Sequence, residues 1–168
     1  MEFTDVYFSL GSNLGDRKEN ILNALTMMDK AFCSRGKALS SIIETPSYGF
    51  SAPSFLNCAA LYRIQKTGEA PSLGALRVLD ICKWIEWKLG REEHPLYGDS
   101  GERIYHSRPI DIDILFYGNH RIACTRPGYP SQCLIIPHED ILERPFVMVP
   151  LREIAKDPLK RAFPEYFR

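Results

Sequence analysis

Short apolar runs alternate along the chain with longer stretches in which apolar residues recur every three or four positions. The short runs are typical of β-strands, and the longer stretches are typical of amphipathic helices. Strands are predicted over residues 6–10, 39–45, 55–64 and 110–117. A first helix is predicted from Asp16, which with Glu19 resembles a capping box, and a second is predicted from Pro71 to Gly90. The pattern therefore contains four strands and two long helices.

The order of these elements is strand, helix, strand, strand, helix, strand, which is the split βαβ arrangement. It predicts an α+β, ferredoxin-like sandwich with a largely antiparallel sheet and helices packed on it. Later in the chain we expect a Pro- and Gly-rich loop over 125–130 and short helical pieces over 138–142 and 149–155. Segments 92–107 and 123–132 are expected to be long, irregular and mobile.

Composition narrows the classes of protein. The 21 basic residues equal the 21 acidic ones, which argues against nucleic-acid or anionic-membrane binding. Five cysteines without a CxxC pair indicate reduced thiols. We find no signal peptide and no apolar run of about 18 residues, so a cytoplasmic protein is expected. No repeat or linker divides the sequence, so residues 1–168 are predicted to form a single domain, which is expected to be a monomer.

The most informative stretch is 108–116, in which Asp111 and Asp113 interrupt an apolar run. Alternate residues of a strand share a face, so both carboxylates would project from one side about 6 to 7 Å apart. Adjacent carboxylates repel each other, and Mg²⁺ is often held by one or two carboxylates together with substrate phosphates. Two ions could share the pair, as in two-metal phosphoryl-transfer sites. The alternative is that both side chains face solvent beside arginine partners.

Four cationic side chains are candidates for binding phosphate. Arg108 precedes the aspartates, Arg91 follows the second helix, and His138 and Arg144 lie in the C-terminal part of the chain. The planar guanidinium group binds phosphate oxygens in pairs, and histidine can add a further donor. Each arginine could equally be a surface salt-bridge partner, and His138 could be a capping residue.

A binding site for a flat ring is suggested by Phe55 and Asn57, which are two residues apart in a predicted strand and share a face. An aromatic plane beside an amide suits a heteroaromatic ring, and Phe146 could supply a second stacking face. The alternative is that both phenylalanines belong to the core. Segment 11–16 contains two glycines between a strand and a helix but matches neither phosphate-loop pattern, so we interpret it as a structural turn.

Five blocks of sequence together resemble the 6-hydroxymethyl-7,8-dihydropterin pyrophosphokinase family of folate biosynthesis. The blocks are LGSNLGDR at 10–17, ETP and FLN within 44–57, IE and LGR within 85–91, RPIDIDIL at 108–115, and IPH, RPFV and PL within 136–151. They follow in order over nearly the whole chain. The resemblance implies transfer of pyrophosphate from ATP to 6-hydroxymethyl-7,8-dihydropterin, which gives AMP and the pterin diphosphate.

The resemblance also implies roles for individual residues. The catalytic set would be Arg91, Arg108, Asp111 and Asp113, of which the two aspartates would hold two Mg²⁺ ions. The residues that would contact ATP are Glu86, Arg91, Arg108, His138 and Arg144. The residues that would bind the pterin are Thr45, Pro46, Tyr48, Phe55, Asn57 and Phe146. Glu86 could instead form a helix-surface ion pair, and the proton acceptor is left open between Asp113 and a water on the metal.

The sequence departs from the family pattern between the second helix and the aspartates. Glu93 stands where the family often has a second basic residue, and residues 105–107 read YHS where Trp-Gly-Pro is usual. The segment from 91 to 108 is also longer than is common, and it is expected to close over the site as a lid. Arg103 or His106 could supply the missing cation.

The family is sometimes fused to dihydropteroate synthase, so the chain is expected to be either complete or the N-terminal part of a longer folate-pathway polypeptide. Two other functions stay open at this point. One is a catalytically silent ligand-binding module on the same fold. The other is a Mg²⁺-dependent phosphohydrolase that uses Asp111 and Asp113 with water as the nucleophile. The ring-binding residues argue against the second, because water needs no ring platform.

Overall fold

A computed structural model describes residues 1–34, 36, 38–46, 53–90, 96–97, 99–100, 103–104 and 107–168. The strands in chain order are β1 (Phe3–Ser12), β2 (Ala38–Leu39), β3 (Ile43–Thr45), β4 (Phe55–Gln65), β5 (Leu96–Tyr97), β6 (Arg103–Ile104), β7 (Asp111–Tyr117), β8 (Ile122–Arg126) and β9 (Tyr129–Ile136). The helices are α1 (Arg17–Ala31), α2 (Pro71–Lys88), α3 (Pro145–Ile154) and α4 (Asp157–Ala162), with 3₁₀ turns at Ile141–Glu143 and Pro164–Tyr166. Both long helices that the sequence predicts are present.

The main sheet has the order β2-β4-β1-β7, with β3 also paired to β4. Every pairing within it is antiparallel. Because β2 and β3 together occupy the position of one edge strand, this is the strand order of the split βαβ fold. The predicted α+β, ferredoxin-like architecture is confirmed.

The edge strand predicted over 39–45 is divided into two by one extra residue relative to β4. Ser40 lies at this bulge, and its hydroxyl accepts a hydrogen bond from the Ala59 N–H at 2.7 Å. The hydroxyl oxygen thus takes the place of a backbone carbonyl, so the Ala59 N–H of β4 keeps a hydrogen-bond partner where the edge strand bends.

The two faces of the main sheet are covered differently. α1 and α2 pack on one face, where the core includes Val6, Phe8, Ile21, Val78 and Ile112. α3 and α4 pack on the other face, where the buried residues lie towards one end of the strands. Those residues are Tyr7, Leu61, Leu115, Phe116, Ile141, Val147, Met148, Leu151, Leu159 and Phe163.

The helix boundaries agree with the capping signals in the sequence. The Asp16 carboxylate accepts a hydrogen bond from the Glu19 N–H at 3.1 Å, so the predicted cap is present. α2 begins at Pro71 and is followed by Gly90, whose φ of 91° suits the end of a helix. α3 begins at Pro145, earlier than the predicted start at 149, because proline is favourable at the first position of a helix. Of the helical piece expected over 138–142, only residues 141 and 142 are helical, in the 3₁₀ turn Ile141–Glu143.

The irregular structure expected over 125–130 and 123–132 is wrong, because β8 and β9 form a hairpin there. The expected mobility of 123–132 stays a prediction. Proline and glycine mark the turn of this hairpin, and the φ of Gly128 is 80°, as the third position of a type II turn requires. Ile122 and Ile136 lie opposite each other and are buried in the core shared with α2. This apolar anchor holds the two strands in register.

Only part of the predicted mobile segment 92–107 is described. β5 and β6 pair antiparallel there, and most of the other residues of the segment lie outside the described residues. In the described part of the chain, no helix is both long enough and apolar enough to cross a membrane.

Candidate active site

At the end of the sheet that α3 and α4 leave uncovered, the central strand carries small residues. Ser9 and Gly11 of β1 lie beside Asp113 and Asp111 of β7, respectively. On its other side, Gly11 lies opposite Asn57 of β4. These five residues share one face of the sheet, because cross-strand partners lie on the same face and so do alternate residues of one strand. We call the depression that they line the sheet groove.

Gly11 lies at the centre of the sheet groove, between Asp111 and Asn57. A Cβ atom at this position would lie 2.8 Å from Asn57 Oδ1 and 3.5 Å from a ring carbon of Phe55. No other residue type fits there unless Asn57 moves. The interpretation of 11–16 as a turn missed this role, which depends on β1 continuing through Gly11 to pair with Asn57 of β4.

The two aspartates carry the charge of the groove. Their side chains keep 26% and 30% of their exposure, so a ligand can reach both carboxylates. The pKa of Asp113 is raised, first by its removal from water and then by the charge of Asp111, while His138, Arg144 and Lys83 oppose the shift. The repulsion expected from the DxD spacing is therefore present, and a bound cation would relieve it.

This arrangement fits a hard divalent cation that arrives with phosphate. Among the residues that the structure describes, no group of three or more His, Cys, Asp or Glu could hold a metal ion by itself. Asp111 and Asp113 supply carboxylate oxygens only. Mg²⁺ usually binds in this way, with one or two carboxylates from the protein and its other ligands from substrate phosphates and water.

Arg108 lies beside the aspartates with one donor unused. Its Nη1 is 3.3 Å from Asp111 Oδ2, and its side chain is 11% exposed. Its Nε is buried and has no hydrogen-bond partner among the residues that the structure describes. An unpaired buried donor of this kind is costly, about 1 to 3 kcal/mol or more for a charged group. An anionic oxygen such as that of a phosphate would satisfy it.

Asn13 fixes the backbone of Arg108, a role that the sequence reasoning missed. It is 1% exposed. Its Oδ1 accepts the Arg108 N–H at 2.7 Å, and its own N–H donates to the Arg108 carbonyl at 3.2 Å. Its Nδ2 donates to Pro53 O and Ser107 Oγ, each at 3.3 Å. One buried amide therefore joins the segment before β4 to the segment before β7.

His138 and Arg144 approach from the C-terminal part of the chain. The His138 N–H donates to the Leu115 carbonyl at 3.1 Å, and its Nε2 lies 4.0 Å from Asp113 Oδ1. Arg144 forms an ion pair with Asp140 at 2.7 Å. Both side chains oppose the raised pKa of Asp113, so they lie close enough to act on its charge.

The residues proposed to bind a ring lie across Gly11 from the aspartates. Thr45 of β3 pairs with Phe55, and its Oγ1 accepts a hydrogen bond from Asn57 Nδ2 at 2.7 Å. Asn57 is 4% exposed, whereas Phe55 is half-buried. Pro46 follows Thr45 and is exposed. The pattern therefore located a cluster, with Asn57 held in one orientation.

Phe146 lies in α3, and its ring is half-buried against the apolar end of the second face. The guanidinium carbon of Arg144 lies 5.8 Å from the centre of this ring. Phe146 thus combines part of a core role with an accessible surface, which leaves a stacking role open to it.

Glu86 lies inside the protein, behind β7. Its side chain is 1% exposed, and its Oε2 accepts the Ile112 N–H at 2.9 Å. Its Oε1 lies 3.2 Å from Lys83 Nζ, so the ion pair named as the alternative is present, although on a buried carboxylate rather than at the helix surface.

Some predicted site residues cannot be placed. Arg91 and Tyr48 lie outside the described residues, as do Glu93 and His106, and the same holds for the side chain of Arg103. The predicted site residues that the structure describes are Glu86, Arg108, Asp111, Asp113, His138 and Arg144 for the cation and phosphates, and Thr45, Pro46, Phe55, Asn57 and Phe146 for the ring.

These features define a ferredoxin-like domain with two adjacent carboxylates on its sheet, across Gly11 from a cluster of Thr45, Phe55 and Asn57. Residues 7–156 match the family model of 7,8-dihydro-6-hydroxymethylpterin-pyrophosphokinase, or HPPK. The chain belongs to this family.

Relatives in two architectures are similar to the chain. A pyrophosphokinase of Porphyromonas gingivalis, 2-amino-4-hydroxy-6-hydroxymethyldihydropteridine pyrophosphokinase, is 37% identical over 151 residues, which cover 89% of this chain and 90% of the relative. The folate synthesis bifunctional protein of Arabidopsis thaliana is 40% identical over 153 residues, which cover 90% of this chain but only 27% of the relative. The chain thus spans about a quarter of the length of such bifunctional relatives.

Solved structures agree on the fold. The crystal structure of an HPPK-DHPS in complex with substrates has a TM-score of 0.60 and 14% identity, and covers 98% of this chain and 44% of that one. The wild-type HPPK-DHPS of Plasmodium falciparum has the same TM-score and 13% identity, and covers 98% of this chain and 45% of that one.

Proposed function

We propose that this domain transfers pyrophosphate from ATP to 6-hydroxymethyl-7,8-dihydropterin, giving AMP and the pterin diphosphate in folate biosynthesis. The observation that supports this most directly is the division of the sheet groove at Gly11. Asp111 and the unpaired Nε of Arg108 lie on one side, and Asn57 with Phe55 lies on the other. A site for phosphates thus adjoins a site for a flat ring, as transfer between ATP and a pterin requires.

In this proposal Asp111 and Asp113 hold two Mg²⁺ ions and, with Arg91 and Arg108, form the catalytic set. Bound to the phosphates of ATP, Mg²⁺ would neutralise charge on the transferred group. The ATP contacts would come from Glu86, Arg91, Arg108, His138 and Arg144. The pterin contacts would come from Thr45, Pro46, Tyr48, Phe55, Asn57 and Phe146.

The chain's own residues would act mainly by positioning. The hydroxymethyl oxygen of the pterin attacks the β-phosphorus of ATP, the bond from that phosphorus to the AMP oxygen breaks, and AMP departs. Arg108 would donate through its unused Nε to a phosphate oxygen, and its ion pair with Asp111 would keep the guanidinium in place. Asn57, oriented by Thr45, would hold the polar edge of the ring. Such alignment is the main source of rate in phosphoryl transfer.

The deciding experiment identifies the nucleotide product. The protein is incubated with ATP, Mg²⁺ and 6-hydroxymethyl-7,8-dihydropterin, and the products are separated by anion-exchange chromatography. We expect AMP in equal amount to the pterin diphosphate, with no ATP consumed when the pterin is left out. ADP or orthophosphate as the product would contradict the proposal. ATP hydrolysis without the pterin would indicate a phosphohydrolase, and an inert protein would indicate a binding module.

We further propose that residues 1–168 form one domain that acts as a monomer in the cytoplasm and is coupled to a dihydropteroate synthase activity. The bifunctional relatives and HPPK-DHPS structures support the coupling, although one similar relative, from Pisum sativum, carries a mitochondrial name. Light scattering on the purified chain tests the monomer. A stable dimer at micromolar concentration would contradict it.

A further inference from the structure

We propose that Glu86 is a positioning residue that sets the geometry of the two aspartates through the backbone between them. Its Oε2 accepts the N–H of Ile112, the residue that separates Asp111 from Asp113. This inference rests on the proposed function, because it takes the aspartates as the ligands of a phosphate-bound cation. The role runs through the backbone of β7 and does not depend on a direct contact between Glu86 and ATP.

One edge of β7 is open, and the Ile112 N–H lies on it. Within the described main sheet, β7 pairs with β1 on one side and has no strand on the other. The Ile112 N–H is directed to that open side, and the hydrogen bond to Glu86 is buried. A buried backbone donor needs a partner, and here a side chain of α2 supplies what a neighbouring strand would otherwise provide.

Burial of the Glu86 carboxylate costs free energy. Glu86 is 1% exposed, and Lys83 offsets its charge from 3.2 Å while remaining half-exposed itself. A buried ion pair contributes little net stability compared with apolar packing. An apolar residue at this position would leave the Ile112 N–H unpaired. The carboxylate therefore serves the strand more than it serves the stability of α2.

The backbone at Ile112 sets the positions of Asp111 and Asp113, which flank it. The side chain of Ile112 is 2% exposed in the core below the sheet, and β1 fixes the inner edge of β7 by pairing Gly11 with Asp111 and Ser9 with Asp113. The outer edge is fixed by Glu86. A shift of the backbone at Ile112 would move the Cα atoms of both Asp111 and Asp113, which flank it, and would change the spacing of their carboxylates around a shared cation.

Two substitutions separate the reach of Glu86 from its charge. Glu86→Asp keeps the charge but withdraws the acceptor by one methylene, whereas Glu86→Gln keeps the reach but removes the charge. We expect Glu86→Asp to speed hydrogen exchange at the Ile112 amide by at least about tenfold. We also expect it to weaken Mn²⁺ binding by about tenfold or more, as loss of an outer partner of a metal ligand typically does. Glu86→Gln should stay within about twofold of the wild type in both, since its amide oxygen still accepts the bond.

Mn²⁺ binding is measured by electron paramagnetic resonance with an ATP analogue whose α,β-bridging oxygen is a methylene group, and amide exchange is measured by NMR. Val78→Ala is the matched control, because Val78 is fully buried on the same helix and its truncation lowers stability without removing the bond to Ile112. We expect normal Mn²⁺ affinity in this variant despite its lower melting temperature.

The outcomes are distinct. Equal Mn²⁺ affinity in Glu86→Asp and the wild type would overturn the inference, as would weaker binding in Glu86→Gln than in Glu86→Asp, which would indicate a long-range effect of charge. Absence of Mn²⁺ binding by the wild-type protein would instead contradict the proposed metal site itself. Loss of binding in Val78→Ala to the same extent as in Glu86→Asp would reduce Glu86 to a general structural role.

Discussion

The two faces of the main sheet are made by the same strands but have different roles. On the face covered by α1 and α2, apolar residues such as Phe8, Leu10 and Ile112 extend to the level of the groove. On the other face, the apolar residues stop partway along β1, and Ser9 and Gly11 replace them. One face is a core throughout, and the other is a core that turns into a groove.

The difference shows how a small domain can hold a charged site on a stable sheet. The buried face provides the packing, so the strands keep their register without help from the groove. The apolar end of the second face is also firmly packed, with the rings of Phe116 and Phe163 centred 5.0 Å apart. The groove residues can then be chosen for chemistry. Substitutions in the groove should therefore change activity more than stability, and substitutions in the core should do the reverse.

The sharpest test of this contrast is Asp113→Ala. We expect turnover to fall by at least about a thousandfold, because loss of a metal ligand removes several kcal/mol of transition-state stabilisation. The melting temperature should not fall, since the substitution also removes repulsion between Asp113 and Asp111. Production of AMP and circular dichroism measure the two effects. The control is Asp80→Ala, which removes an exposed carboxylate of α2 that pairs with Arg126 of β8. It should leave turnover unchanged.

Gly11→Ala tests the centre of the groove and should have the next largest effect. The new Cβ would lie 2.8 Å from Asn57 Oδ1, so the amide must move. We expect pterin affinity to fall by about a hundredfold and stability to fall by about 1 to 3 kcal/mol, as overpacking usually costs. Calorimetry with the pterin and thermal unfolding measure these effects.

The same substitution combined with Asn57→Ala checks the route of the effect. If the clash acts through Asn57, the double variant should bind the pterin no more weakly than Asn57→Ala alone, because two changes in one contact are not additive. Full additivity would mean that Gly11 acts on the pterin in another way.

Phe55→Ala separates stacking from packing. A stacked aromatic ring contributes about 1 to 3 kcal/mol, so pterin affinity should fall by about ten- to a hundredfold while ATP affinity stays within about twofold. Both affinities are measured by titration, with the methylene analogue in place of ATP. Equal losses for the two ligands would show that Phe55 belongs to the core.

The sequence predicts those parts of the molecule that depend on neighbours in the chain. The shared face of Asp111 and Asp113 follows from strand alternation alone, and Asp16 is recognisable as a cap from the residue three positions later. Gly11 and Asn13 were interpreted as parts of a turn because their roles depend on strand register and on partners far along the chain, such as Arg108, 95 residues from Asn13.

The prediction of a loop in place of the β8–β9 hairpin was wrong for a related reason. Proline and glycine occur both in loops and in tight turns, and the deciding feature is the burial of Ile122 and Ile136 in the core shared with α2. Glu86 was placed near the nucleotide by resemblance, yet its carboxylate lies on a backbone N–H 26 residues away. Local pattern cannot report contacts of this kind, because packing between elements decides them.

Asn13 offers the most delicate test of the groove, because it acts on two segments at once. Asn13→Asp keeps an acceptor for the Arg108 N–H but loses the donor to Pro53 O and Ser107 Oγ, whereas Asn13→Ala loses both sets. We expect Asn13→Ala to lower stability by about 1 to 3 kcal/mol, because it leaves a buried backbone donor unsatisfied. It should also lower turnover by about tenfold, since Arg108 is no longer held. Asn13→Asp should retain most of the turnover, and equal loss in both variants would mean that the link to Pro53 matters as much as the grip on Arg108.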